Sequence, residues 1–275
     1  MNPLQKNFLI SQLESIPGKI SCYHKDLVTG ATFVFNGSMP MHAASVIKLF
    51  IMVEAFRQFE EENLNPHTFV AISDDNKVPS CGALTYLHSG VEVTILDLIS
   101  LMIILSDNTA TNVLIDLLGL EAINATIERL GYKRTSLYRK MYDTEKMPKE
   151  VKNIITAQEI GDLLEKIYKG TLISEVSSRK MMDLLLNQQL NSKIPFYLEP
   201  LEPTPQVAHK TGESTGITHD VGIVLPINGH PFILCFLGNE TEVCLYDRLM
   251  ADMTLLIYEL GEKQIFDATH NQNSW

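Results

Sequence analysis

No stretch of this chain reaches the roughly 18 uninterrupted apolar residues that a membrane helix needs. From Met1 to Leu13 the only apolar run is Phe8-Leu9-Ile10, with neither a signal-peptide core nor a small-residue cleavage site. As given, the sequence reads as cytoplasmic, or as extracytoplasmic if a leader has been removed. Basic runs are also missing, and the net charge is −11, which argues against a nucleic-acid partner and against an anionic membrane surface. The four cysteines, Cys22, Cys81, Cys235 and Cys244, form no C-x-x-C pair and no His/Cys cluster with metal-ligand spacing. They read as reduced, mostly buried thiols, with no metal and no cofactor called for. Internal repeats and low-complexity tracts are absent, and nothing marks an obligate protein partner. A small-molecule or peptide substrate is the class of partner left standing.

What is present suits one large domain or two interleaved subdomains, since 275 residues at 45% hydrophobic content can bury a full core. Residues 3 to 15 carry the pattern of an amphipathic helix. Lys19 to Asp26 and Ala31 to Asn36 read as strands joined at Thr29-Gly30. Ser45 opens an apolar-periodic helix through Phe59, and residues 94 to 118 hold two helical stretches meeting at Ser106. Helical patterns recur at Glu121 to Leu130, Ala157 to Lys169 and Ser177 to Leu190. Strands return near Val207 to Lys210, Asp220 to Pro226 and Phe232 to Gly238, before a helix over about Thr241 to Gly261. Strands at both ends with helices between predict an α/β fold: an antiparallel sheet flanked by the terminal helices, plus an all-helical subdomain. The expected division is one domain over 1–265, with an α/β part at about 1–45 and 191–265, a helical part at about 46–190, and a polar tail at 266–275.

Three short motifs stand in fixed order: Ser45-Val46-Ile47-Lys48, Ser106-Asp107-Asn108 and Lys210-Thr211-Gly212. An S-x-x-K arises about once by chance in a chain of this length and alone is an ordinary helix start. The ordered set, with Leu101 to Leu105 leading into Ser106 and with Gly216 and His219-Asp220-Val221-Gly222 following Lys210, is far more specific. Over about residues 5 to 262 the chain resembles the class A β-lactamases and related serine hydrolases of the penicillin-recognising group, and the resemblance implies their three-layer fold.

Ser45 at a helix N-terminus has the positive end of the dipole and its own N–H available to an oxyanion, which suits a nucleophile. Lys48, one turn on and among Ile47, Leu49, Phe50 and Ile51, is placed to be a desolvated base. The resemblance implies that Ser106 relays a proton to the leaving nitrogen and that Asn108 offers its amide to the substrate, Asp107 being structural. It also implies a positive charge at Lys210, a carboxylate donor at Thr211 and the close of that motif at Gly212. The backbone N–H of Glu213 would then be the second oxyanion donor, with its side chain pointing away. His219 falls where many class A enzymes have a carboxylate-binding arginine.

One departure stands out. Class A enzymes carry a water-activating glutamate in the loop after the S-D-N helix. Matching Arg139 to the family's loop arginine puts Met141 at that place, with Asp143 and Glu145 nearby. A thioether is no base, so acylation by Ser45 is better supported than rapid deacylation. Three readings stay open: a β-lactamase-type acyl-enzyme hydrolase, an esterase or D-alanyl peptidase with the same apparatus, and a penicillin-binding sensor that acylates and stalls.

Overall fold

The computed structural model of the chain describes residues 2–79, 81–143 and 151–272. Helix α1 (Pro3–Glu14) starts at a reciprocal cap between Asn2 and Gln5, with proline in its first turn where a missing N–H costs nothing. The chain then forms β1 (Lys19–Asp26), β2 (Thr32–Phe35), β3 (Met41–His42) and, after a single 3₁₀ turn over Ala44–Ile47, α2 (Lys48–Glu60). Next come β4 (Phe69–Ile72), β5 (Val91–Thr94), α3 (Ile95–Ile104), α4 (Asn108–Leu118), α5 (Leu120–Arg129), β6 (Ile154–Ile155), α6 (Ala157–Tyr168) and α7 (Glu175–Leu186). The C-terminal part holds β7 (Gln206–Ser214), β8 (Ile217–Leu225), β9 (Phe232–Asn239) and α8 (Val243–Gln272).

The five long strands form one antiparallel sheet in the order β2-β1-β9-β8-β7. Both faces are covered, which is why β9 reads as a continuous apolar run rather than an alternation. Its side chains still divide with period two. Phe232, Leu234 and Phe236 join α1 and α8, while Ile233, Cys235 and Leu237 join the core of the helical part. Three layers result: the terminal helices, the sheet, and the remaining helices around α2. Residues 48 to 56 of α2 are buried without exception, Lys48 and Glu54 included. Among the described residues no single helix is long and apolar enough to cross a membrane.

Three expectations need correction. The middle segment is not all helix, because β4 pairs with β5 and β6 pairs with β3; these ladders of four and two residues are too short to carry a periodic signal. Helix α8 passes Gly261 and runs to Gln272, so most of the expected polar tail is helical, while residues 273–275 lie outside the described ones. The thiols divide evenly, with Cys22 and Cys235 buried but Cys81 and Cys244 exposed, and none is in a disulfide.

Candidate active site

The edge strand β7 runs past the 3₁₀ turn that carries Ser45, and the two approach closely because position 212 is glycine. A Cβ there would stand 3.0 Å from Val46 Cγ2 and 3.3 Å from the Ser45 backbone nitrogen. Ser45 is therefore presented by a tight turn and not by the first turn of α2 itself, which begins at Lys48. Ala43 N–H donates to the Asn153 carbonyl at 2.7 Å, pinning the turn from the other side. Ala44 sits in the left-handed region at φ 42°. Two more non-glycine residues with positive φ, Ser106 at 55° and Tyr142 at 59°, line the same cleft. Such conformations cost about 1–3 kcal/mol each and collect where geometry serves function.

Ser106 bridges α3 and α4. Asp107 caps α4 by accepting from Ala110 N–H at 2.9 Å, and its other oxygen accepts from Ala83 and Leu84 N–H at 2.7 and 2.9 Å. Gly82, at φ +118°, packs so tightly on that carboxylate that an added Cβ would lie 2.2 Å from Asp Oδ2. Asp107 thus acts as a rivet that fixes its two neighbours. Lys48 Nζ donates to the Ser106 carbonyl at 2.6 Å and to Asn108 Oδ1 at 2.9 Å, and lies 3.1 Å from Ser106 Oγ. From the sheet side Lys210 Nζ donates to Ser106 Oγ at 3.0 Å and to the Thr211 carbonyl at 2.8 Å.

Both amines are fully buried. Burial together with the neighbouring Lys210 drives Lys48 well below the ordinary lysine range. Burial lowers Lys210 to about 7, with Asp220 pulling the other way. Taking an ammonium out of water costs several kcal/mol, comparable to what burial of two or three Leu or Ile side chains returns, so the surrounding core can carry it. The Ser45 hydroxyl makes no hydrogen bond among the described residues, and contacts of this kind are often loose before substrate arrives.

These groups open onto a cleft of about 270 Å³ lined by Ser45, Ser106, Asn108, Thr211, Glu213 and, across from them, Arg139, Met141 and Tyr142. Lys48, Lys210 and Gly212 stand behind the wall rather than on it. The Glu213 carboxylate is turned to the buried Lys193, with which it forms an ion pair. His219 does not join the cleft. It is fully buried, Nε2–H donates to the His42 carbonyl at 2.8 Å, Nδ1 lies 2.8 Å from the Thr218 carbonyl and 3.1 Å from the Gly238 nitrogen, and burial lowers its pKa to about 4. A neutral imidazole with both nitrogens spent inside the protein offers no substrate contact, which corrects the expectation for this residue.

On the far wall, Asn112 grips Met141 twice. Its amide donates to the Met141 carbonyl at 2.9 Å, and its oxygen accepts the Met141 N–H at 2.8 Å. Asn153 likewise accepts from Tyr138 and Arg139 N–H at 2.8 and 3.1 Å and donates to the Arg139 carbonyl at 3.0 Å. Met141 is thereby fixed on the cleft. Asp143 is described but does not line it, and Glu145 lies outside the described residues. The sequence reading missed Asn112, Asn153, His42 and Cys81 as parts of this site. Asn112 had a signal, since it follows Asn108 by one helical turn on the same face; Asn153 reaches the loop only through the fold. Among the described residues no group of three His, Cys, Asp or Glu side chains is placed to hold a metal.

The sequence model of the beta-lactamase enzyme family matches residues 6–260. Beta-lactamase 3 of Bacillus cereus is 24% identical over 93% of this chain and 81% of its own length. Beta-lactamase CARB-3 of Pseudomonas aeruginosa is 22% identical over 94% of this chain and 88% of its own length. A beta-lactamase structure from Sphaerobacter thermophilus superposes with a TM-score of 0.87 at 28% identity, covering 95% of this chain and 98% of that one. PBP-A has the same fold, with a TM-score of 0.85 at 24% identity over 95% of this chain and 97% of its own.

Proposed function

The chain belongs to the beta-lactamase enzyme family, and from that premise we propose that it is a class A-type serine hydrolase that acylates Ser45 with a β-lactam or related amide or ester and releases the acyl group slowly. The observation that carries this reading is the amine–hydroxyl–amine chain Lys48–Ser106–Lys210 behind a serine with an exposed oxyanion position. In the neutral form Lys48 takes the Ser45 proton as Oγ bonds to the substrate carbonyl carbon. The oxygen becomes an oxyanion facing the Ser45 and Glu213 N–H groups. When the C–N bond breaks, the leaving nitrogen takes the Ser106 hydroxyl proton, and Ser106 is reprotonated by the Lys48 ammonium 3.1 Å away, which restores the amine. Charged Lys210 and the Thr211 hydroxyl draw a substrate carboxylate to the edge of β7. The Asn108 oxygen is held by Lys48, which leaves its amide N–H groups for the acyl amide.

Hydrolysis then needs a water activated against the ester. Met141 occupies the loop wall where a carboxylate would do this, and it is clamped there by Asn112. A point mutant of PBP-A, a neighbour of this fold, has been solved as an acyl-enzyme complex with penicillin G. The esterase and D-alanyl peptidase readings use the same first half of the reaction and differ in the acyl donor. Intact-protein mass spectrometry after mixing with penicillin G, with a chromogenic cephalosporin and with a short p-nitrophenyl ester separates them. The expected result is a stoichiometric β-lactam adduct on Ser45 that persists for minutes. An adduct on another serine, or one that survives Ser45→Ala, overturns the proposal.

A further inference from the structure

The loop wall contains a cation with one guanidinium nitrogen that nothing among the described residues satisfies. Arg139 lines the cleft, its Nη1 is shielded from water without a hydrogen-bond partner, and among the described residues its guanidinium makes no ion pair. Its neighbour Lys140, by contrast, is paired with Asp116. His42, on the same side of the cleft, has a shielded Nδ1 that also lacks a partner. The neighbouring backbone carbonyls already accept hydrogen bonds from other groups. The carbonyls of Met141 and Arg139 accept from Asn112 and Asn153, the His42 carbonyl accepts from His219, and the Asn153 carbonyl accepts from Ala43 N–H. A guanidinium nitrogen shielded from water and given no acceptor is costly, and that cost is recovered when something enters with oxygens to offer.

We propose that Arg139, assisted by His42, is a carboxylate-binding subsite for the acyl portion of the substrate, so that the cleft prefers acyl donors carrying an anionic side chain. This rests on the reading of the cleft as a Ser45 acylation site. In that reading the leaving nitrogen lies against Ser106 and its carboxylate against Thr211, which turns the acyl substituent toward the loop wall where Arg139 stands. A carboxylate fits because the planar guanidinium fork offers two parallel donors and a full positive charge to its two oxygens. Burial, with Lys152 and Arg139 as neighbouring cations, holds the His42 imidazole at about 4, so near neutral pH it supplies a neutral N–H and Arg139 supplies the charge.

The test is a matched pair of penicillins, penicillin G and its analogue with a second carboxylate on the carbon next to the acyl carbonyl. The measurement is the second-order rate of adduct formation on Ser45. The wild type is expected to favour the dicarboxylate about tenfold or more, the usual value of a charged hydrogen bond. Arg139→Met should bring the ratio to about one, and Arg139→Lys should retain part of it, which separates charge recognition from a general loosening of the loop. Equal rates in the wild type, or a preference unchanged in Arg139→Met, would overturn the subsite. If neither penicillin acylates Ser45, the acylation reading fails on its own. The subsite is then decided by equilibrium binding of phenylmalonate against phenylacetate, where the dianion must bind more tightly to the wild type and not to Arg139→Met.

Discussion

Behind one wall of the cleft two buried amines converge on a serine hydroxyl; at the other, two asparagine amides close around the backbone of a methionine-bearing loop. The first wall is made of side chains that titrate and move protons. In the second, the side-chain hydrogen bonds go to holding the chain in place, and the group presented at Met141 is inert. On the proposed reading acylation and deacylation draw on different walls, so deleting either half need not affect the other. The first wall would open the acyl bond, while the second would hold the product without helping water attack it.

The largest expected effect breaks the first wall. Ser45→Ala should remove the adduct altogether, and Lys48→Ala should slow acylation of every substrate class by roughly 10²–10⁴-fold, the contribution of a positioned base. Time-resolved mass spectrometry checks both. Wild-type rates in Lys48→Ala would mean that Lys210 or a water does the work, and the contrast between the walls would lose its basis.

Next comes an attempt to make the second wall catalytic. Met141→Glu puts a carboxylate where the Asn112 clamp already fixes the backbone, and loss of the penicillin adduct should quicken by tenfold or more, within the roughly 10²–10⁴-fold ceiling for general-base help. Asp143→Ala is the control. A large drop in wild-type deacylation in that variant would show that the loop wall already supplies a base.

The sequence disclosed these walls unequally. Ser45, Lys48, Ser106, Asn108, Lys210 and Thr211 were legible because each lies in a short motif whose spacing reflects one helical turn, one helix cap or one edge strand. The sheet was legible too, since β9 and the second half of β8 are apolar runs and the Thr29-Gly30 turn follows β1. The pairing of Asn153 with the Arg139 backbone was not, because 14 residues of chain separate the partners and an isolated asparagine has no period. His219 misled for a different reason. Position along β8 gave its register, but whether its side chain meets substrate or the protein interior depends on His42, 177 residues away.

A smaller effect sharpens the first wall through pH. Lys210 is charged below its lowered pKa of about 7 and neutral above it. Attraction for a substrate carboxylate should therefore be present at pH 6 and fade as pH rises through 7. Neutral esters should show no such alkaline loss. Replacing the amine with a guanidinium that stays charged, Lys210→Arg, should abolish the alkaline fall for anionic substrates. A fall of equal size for both substrate types would place the titration elsewhere, with Lys48 the first alternative.

The smallest effect concerns the clamp, and it asks whether the second wall is structure or chemistry. Asn112→Ala strands the Met141 N–H and carbonyl, and Asn153→Ala strands two N–H groups and the Arg139 carbonyl. Unmade hydrogen bonds of buried groups cost about 1–3 kcal/mol, and the exposure of the loop puts both variants toward the lower end. For a chain of this size 1 kcal/mol is worth roughly 2–4 °C of melting temperature. Both variants should melt a few degrees early while Ser45 still acylates at near the wild-type rate, since neither asparagine touches the Lys48–Ser106–Lys210 chain. If acylation instead falls in step with stability, the two walls are coupled through Ala43 and the Ser45 turn, and their separation into an acylating half and a holding half would have to be given up.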